Sequence, residues 1–381
     1  MPSVLKSWQH LQETMPGLTV PAGIPVNNVG TTYCMAQELS WIDLNYFAVG
    51  RWDGSLSIFQ FTQSQQQGPL ITEAVNTPSA EGVQMITWLS KGIFATSNDE
   101  QSVITWFTQS GDWSDLTKLQ TLSFDPSLGV ANSGTSYTTP DNTALYFIIG
   151  HANGFISIWK DAPTCTNLQF LVSVDLRAAN PVNPWGIHNI RGVSTIFWDN
   201  TYGYIVTGSE DGNLCVVRIP DGQILSTTVY NPQAQRGINS IATLGQNLLV
   251  ANCAVGQTDK NLWYYWIDSS DWSITLRDAR MLQVDPSLPQ VFNFDIIWGY
   301  YSEGLCWFST TEEGVLWMGT IQNNQTLDVI GNQTVTAKLG AALAMCLSGD
   351  LALAAYDLYE FNTTPGNIKS VNGHPERFEI V

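Results

Sequence analysis

Charge is scarce in this sequence, and positive charge scarcest of all. Of 381 residues 13% are charged, Lys and Arg number 15 against 33 Asp and Glu, and the formal charge is −18. Soluble proteins average about 25% charged residues, so the polarity of this chain comes mainly from Ser, Thr, Asn, Gln and backbone. So few cations neutralise few phosphates, which excludes nucleic acid and anionic lipid as expected partners and leaves cationic, metal or neutral ones. No apolar run approaches the ~20 residues of a membrane helix. Met1 to Val20 lack the apolar centre and small-residue cleavage site of a signal peptide, so the expected location is cytoplasmic, or secreted if a leader precedes this numbering. The six cysteines, Cys34, Cys165, Cys215, Cys253, Cys306 and Cys346, include no CxxC pair and no Cys/His cluster. They are expected as buried thiols acting as small hydrophobes.

What the chain does contain is a repeat. A Gly-containing turn followed by an alternating apolar run recurs at Asp53-Gly54, Asn153-Gly154, Asp211-Gly212 and Glu313-Gly314, each preceded by another apolar run. That is the pattern of two strands joined by a turn needing positive φ. Weaker copies fill the gaps at Asp99 to Phe107 and Lys260 to Ile267, and a seventh is expected at Pro365 to Val371, after Leu351 to Ala355. Literal self-similarity supports the spacing. Asp112-Trp113-Ser114 with Asp125-Pro126-Ser127-Leu128 recurs as Asp271-Trp272-Ser273 with Asp285-Pro286-Ser287-Leu288, about three periods later.

A sheet of four short strands cannot bury both faces alone, whereas seven stacked radially can. The expected fold is all-β, a single seven-bladed β-propeller of four-stranded antiparallel blades at about 31–78, 79–129, 130–179, 185–232, 236–286, 290–335 and 338–381. Thr207-Gly-Ser-Glu-Asp-Gly-Asn-Leu-Cys-Val-Val-Arg218 resembles the second-to-third strand hairpin of the WD40-like β-propellers. The terminal Trp-Asp of that family's repeat is missing and the period is longer than its ~40–45 residues, so the resemblance implies architecture and no functional residues. Residues 1–30 are expected to help close the ring, with either Leu5 to Glu13 or Arg377 to Val381 as the outermost strand of the last blade. Cys34 and Cys346 become neighbours if the first strands of the first and last blades lie side by side, and in an oxidising compartment that placement allows a disulfide.

In such a ring the second-to-third strand turns share one end with the connections between blades. Function concentrates in loops on a rigid scaffold. That end is expected to gather Arg51, Trp52, Asp53, Asp99, Glu100, His151, Asn153, Glu210, Asp211, Lys260, Glu312 and Glu313 from the turns. The connections add Asp125, Asn183, Trp185, His188, Arg236 and Asp285. His188, His151 and Arg51 are the candidate catalytic groups, able to accept a proton or polarise a substrate. Each histidine also has a structural reading, as a turn cap bonded to a backbone carbonyl. Trp52 and Trp185, with Arg236, Asp53 and Asp211, are the candidate ligand-binding set, an aromatic surface with a few polar groups. The carboxylates before Gly are equally explained as turn formers. No Ca²⁺ loop, P-loop, dinucleotide fingerprint or Gly-x-Ser-x-Gly occurs, so no cofactor and no metal are expected. Asn324, Asn332 and Asn362 head glycosylation sequons, at about the frequency a chain rich in Asn and Thr gives by chance.

Three functions fit these residues. The first is a monomeric small-molecule-binding propeller with an aromatic pocket at one channel mouth, extending to a cofactor-independent biosynthetic enzyme acting on an apolar or neutral substrate. The alternative is a non-catalytic WD40-like protein-interaction scaffold. A carbohydrate-binding lectin ranks third, because the turns differ too much to form equivalent sugar sites.

Overall fold

The structure, a computed structural model, describes residues 5–10, 36–43, 46–51, 56–60, 83–97, 102–111, 113, 115–177, 188–199, 201–230, 237–255, 258–301, 304–313, 315–334, 342–345, 351–354, 359–361, 368–370 and 376–380. The hairpins form where the Gly turns imply them. Gly154 and Gly212 adopt φ of 83° and 82°, a region closed to most side chains. They join Leu145–His151 to Phe155–Asp161 and Gly203–Ser209 to Asn213–Ile219 in antiparallel register.

Each complete unit is a four-stranded antiparallel meander. The second comprises Met85–Ser90, Ile93–Ser97, Ser102–Phe107 and Thr117–Ser123, and the third Ala131–Thr138, Leu145–His151, Phe155–Asp161 and Gln169–Asp175. The fourth runs from Ile190–Trp198 to Gln223–Val229, the fifth from Ile238–Leu244 to Ile274–Arg280, and the sixth from Gln290–Tyr301 to Thr326–Thr334. Three strands of the first are described, Ala36–Asp43, Tyr46–Arg51 and Leu56–Gln60. The first strands pack side by side in succession, and Ala342–Met345 packs against both Gln290–Tyr301 and Ala36–Asp43. This closed circuit fits seven blades. Cys34 and Cys346 lie outside the described residues. Cys165 and Cys215 are free thiols, and burial pushes Cys215 up to about 12.

The last unit departs from expectation. Its third strand is Glu376–Ile380, which pairs with Leu351–Ala354, and Leu5–His10 is added outside it. Both chain ends therefore enter one sheet, with the amino-terminal strand outermost. Ile368–Ser370, within the hairpin copy expected at Pro365 to Val371, instead pairs with nearby Tyr359–Phe361 as a separate two-stranded ribbon. A local partner closes a shorter loop and costs less chain entropy than a distant one.

One periodic feature was invisible in the sequence. The outer strands of the second to sixth units each carry a β-bulge, at Leu119, Leu171, Leu225, Arg277 and Ile330, spaced 52 to 54 residues apart. A bulge bends and twists its strand, which blunts the open edge of each blade against pairing with another chain.

The Trp residues of the Asp-Trp-Ser motifs, Trp113 and Trp272, lie between third and fourth strands and share φ of 60° and 63°. The Asp-Pro-Ser-Leu motifs begin the connection to the next blade. There Asp125 caps a short 3-10 turn, Pro126–Leu128, by accepting from Ser127 N. Apolar clusters fill the interfaces between blades. One joins Ile42, Tyr46, Ala48, Leu56 and Ile58 of the first blade to Phe94, Ile104, Trp106 and Trp113 of the second.

Candidate functional site

Turns and connections do meet at one end. Asn153 Nδ2 donates to Ser127 O, joining the third blade's turn to the connection entering that blade. Glu210 N donates to Asn189 O at 2.8 Å in the fourth blade. In the sixth, the Glu313 carboxylate accepts from Val284 N and Asp285 N at 2.9 and 2.6 Å. The Glu313 carboxylate therefore holds the incoming chain. Asp285 caps its own turn in the connection, its carboxyl held low by the Ser287 hydroxyl and the Ser287 N–H. Among the described residues no three His, Cys, Asp or Glu side chains converge as metal ligands.

His188 sits at the mouth of a small cleft between the third and fourth blades, lined by Gly154, Leu176, Arg177, Thr207, Ser209, Asp211 and Asn213. Its Nδ1 lies 2.8 Å from Asp211 Oδ2, with the Asp211 side chain 4% exposed. The other carboxylate oxygen accepts from Asn213 N at 3.0 Å and from the Ser209 hydroxyl. Asp211, expected to bind a ligand, thus spends one oxygen on His188 and the other on its own turn. The cleft has room for about one water molecule.

His151 faces the other side of the third blade. It is fully buried, its Nδ1 lies 3.2 Å from Gly129 O and its Nε2 2.8 Å from Ser157 Oγ. Phe124 packs edge-on against its ring. Trp159 Nε1 donates to the same Ser157 hydroxyl. The histidine thus joins the incoming connection to the third strand, whereas His188 lines the cleft toward the fourth blade.

Burial pushes the His151 pKa down to about 4. A folded-state pKa below the unfolded value of about 6.5 means that the unfolded chain binds the proton first, so stability is full above pH ~6.5 and declines toward pH ~4. Over that window the loss reaches about 3 kcal/mol, at about 1.4 kcal/mol per unit. Urea midpoints measured between pH 4.5 and 7 should show this slope, and His151→Gln, which keeps a hydrogen-bonding side chain but cannot titrate, should flatten it. An unchanged slope in the variant would assign the effect to other groups.

Arg51 ends the strand Tyr46–Arg51. Its side chain, and the whole of Trp52, Asp53, Trp185 and Arg236, lie outside the described residues.

Sequence reasoning missed a polar network beside His188. Asn132 Nδ2 donates to Asn189 Oδ1, Asn189 Nδ2 to Glu210 Oε2 at 3.1 Å, and Arg191 Nη2 lies 3.3 Å from Glu210 Oε1. All four side chains are partly exposed. Asn132 and Arg191 occupy bulges in the first strands of adjacent blades, where the pairing register slips beside His151 and Ser209. A slip of that kind leaves no mark in hydrophobic alternation.

No family model and no curated protein matches the chain. Solved structures do. The β-propeller domain of Cps50 (Swd1) from Myceliophteria thermophila is 11% identical, with a TM-score of 0.58, over 91% of this chain and 97% of that one. The WD40 β-propeller domain of Doa1 is 12% identical, with a TM-score of 0.61, over 91% and 94%. A chain of a mitotic checkpoint complex is 13% identical, with a TM-score of 0.61, over 93% and 94%. At these identities the likeness establishes the architecture, which is that of a WD40-like β-propeller.

Proposed function

We propose that this WD40-like β-propeller is a non-catalytic protein-interaction scaffold, binding its partner on the end where the second-to-third strand turns meet the connections between blades. The observation that carries the reading is the Asn132–Asn189–Glu210–Arg191 network, which bridges two blades. Its groups are partly exposed and already held in place, so a partner that used them would pay little ordering entropy. Arg is also enriched among residues that dominate interfaces. One of the similar chains was solved within a multiprotein checkpoint assembly, which accords with this use of the fold. An aromatic small-molecule pocket would rest on Trp52, Trp185 and Arg236, whereas His151 and Asp211 spend their polar atoms on neighbours within the chain.

The test compares wild-type chain, an Arg191→Ala/Glu210→Ala variant and a Lys91→Ala control as baits in extracts of the native source. Lys91 is exposed in a turn at the opposite end. A partner retained by wild type and by the control, but weakened about tenfold or more by the double variant, is the expected result. A partner indifferent to the double variant, or a small metabolite co-purifying in its place, would refute the reading.

A further inference from the structure

We infer that the same end carries, across the fifth and sixth blades, a docking patch for a partner segment in which a Lys or Arg stands beside bulky apolar residues. The inference rests on the scaffold reading and adds the chemistry of the partner.

The surface begins with a weld between blades. The fifth blade's second strand, Asn247–Val255, overruns its own sheet and pairs with the start of Gln290–Tyr301, matching Cys253 to Phe292 and Val255 to Gln290. Two blades thereby present one continuous surface in place of a seam. On it Phe292 and Phe294 stack with ring centroids 6.0 Å apart and an interplanar angle of 22°. Both are partly exposed, and Phe294 occupies the bulge between Asn293 and Asp295. Val255 and Val284 nearby are 40% and 52% exposed. Most other large apolar side chains that reach solvent lie near the opposite end or on outer strands, among them Trp88, Phe170, Phe197 and Leu276.

Beside this apolar ground stand two consecutive carboxylates. Glu312, partly buried, accepts from Phe292 N through Oε1 at 3.0 Å, and Glu313 accepts from Val284 N. Each is therefore tied to an apolar residue of the patch. Among the described residues the Lys, Arg and His ion pairs engage Asp175, Asp211, Glu210, Asp221 and Asp278, and none engages Glu312 or Glu313. Burial, with the neighbouring Glu313, lifts the Glu312 carboxyl above its usual range, against the pull of the Phe292 hydrogen bond. The charge is thus short of water and, among the described residues, of counter-charge.

An incoming ammonium or guanidinium supplies what that pair lacks, through a charge-assisted hydrogen bond to a carboxylate that has already lost part of its hydration. The methylene stem of the same side chain packs on the Phe rings, and an adjacent apolar residue covers the exposed valines. An acidic segment meets like charge at the same place, in a chain whose net charge is −18. The patch therefore selects by sign as well as by apolarity.

The test is selection from a random linear peptide library on three full-length baits: wild type, Glu312→Gln/Glu313→Gln, and Arg191→Ala/Glu210→Ala. Thermal melts establish that all three are folded, and enriched peptides are measured by fluorescence anisotropy. Peptides pairing Lys or Arg with a bulky apolar residue are expected, losing about tenfold or more in affinity on Glu312→Gln/Glu313→Gln and on Phe294→Ala. Less than twofold loss is expected on Arg191→Ala/Glu210→Ala. Enrichment of peptides without a basic residue, equal binding to the Gln variant, or no enrichment at all overturns the patch. Peptides that bind and respond only to Arg191→Ala/Glu210→Ala also overturn it, while leaving the scaffold reading intact.

Discussion

Replacing Trp113 by Ala is expected to cost about 3–5 kcal/mol of stability, while the same replacement at Trp272 costs about 1–2. The two residues share a sequence motif and a left-handed backbone, so their local environments decide the difference. Trp113 is fully buried and packs edge-on against Phe94 at 5.3 Å, within the cluster that joins the first and second blades. Its turn is already fixed by Thr108, whose hydroxyl donates to Asp115 and accepts from Gly111 N and Trp113 N. A truncated side chain therefore leaves a cavity that the turn cannot collapse to fill. Trp272 is only partly buried; it stacks on Tyr204 of the preceding blade at 4.0 Å, with solvent in reach. Urea titrations followed by circular dichroism measure both costs, and equal costs would show that the motif, not its burial, carries the stabilisation.

How far such differences can be read in advance depends on what sets them. The turns at Asn153-Gly154 and Asp211-Gly212 were legible because positive φ restricts the residue type, and the paired Asp-Trp-Ser and Asp-Pro-Ser-Leu motifs reported the period without any structure. The last unit misled because Pro365 to Val371 has a turn-and-strand pattern, and pattern does not reveal that Tyr359–Phe361 pairs with part of it. Sorting residues by loop put His188 and Asp211 on one end, and the two are in contact at 2.8 Å. It could not separate His151 from His188, since the burial of a ring and its bond to a backbone carbonyl depend on how the connection entering the blade packs. Asn132 and Arg191 were illegible for a related reason. A bulge is a property of two strands in register, and neither strand alone encodes it.

The sixth blade offers the sharpest test of that register. Gly319→Ala is expected to destabilise the protein by about 3 kcal/mol or more, at the upper end for overpacking. Gly319 lies directly across from Trp307 on one side and Val329 on the other. A Cβ at this position would stand 2.0 Å from Asp328 O and 2.2 Å from the Trp307 ring. The ring has little freedom to retreat, being fully buried with its Nε1 donating to Thr320 O at 3.2 Å. Moving Asp328 O means moving the backbone beside the Ile330 bulge, so the clash is not relieved by a change of rotamer. Gly331→Ala is the matched control in the neighbouring strand, where an added Cβ meets nothing within 4 Å. There the same substitution should be neutral or stabilising by up to about 1 kcal/mol, because it restricts the unfolded chain without strain. Thermal and urea midpoints of the two variants, measured side by side, separate a packing cost from a general dislike of Ala in this sheet. Similar losses in both would place the cost in strand propensity and remove the close approach of Trp307 and Asp328 as its cause.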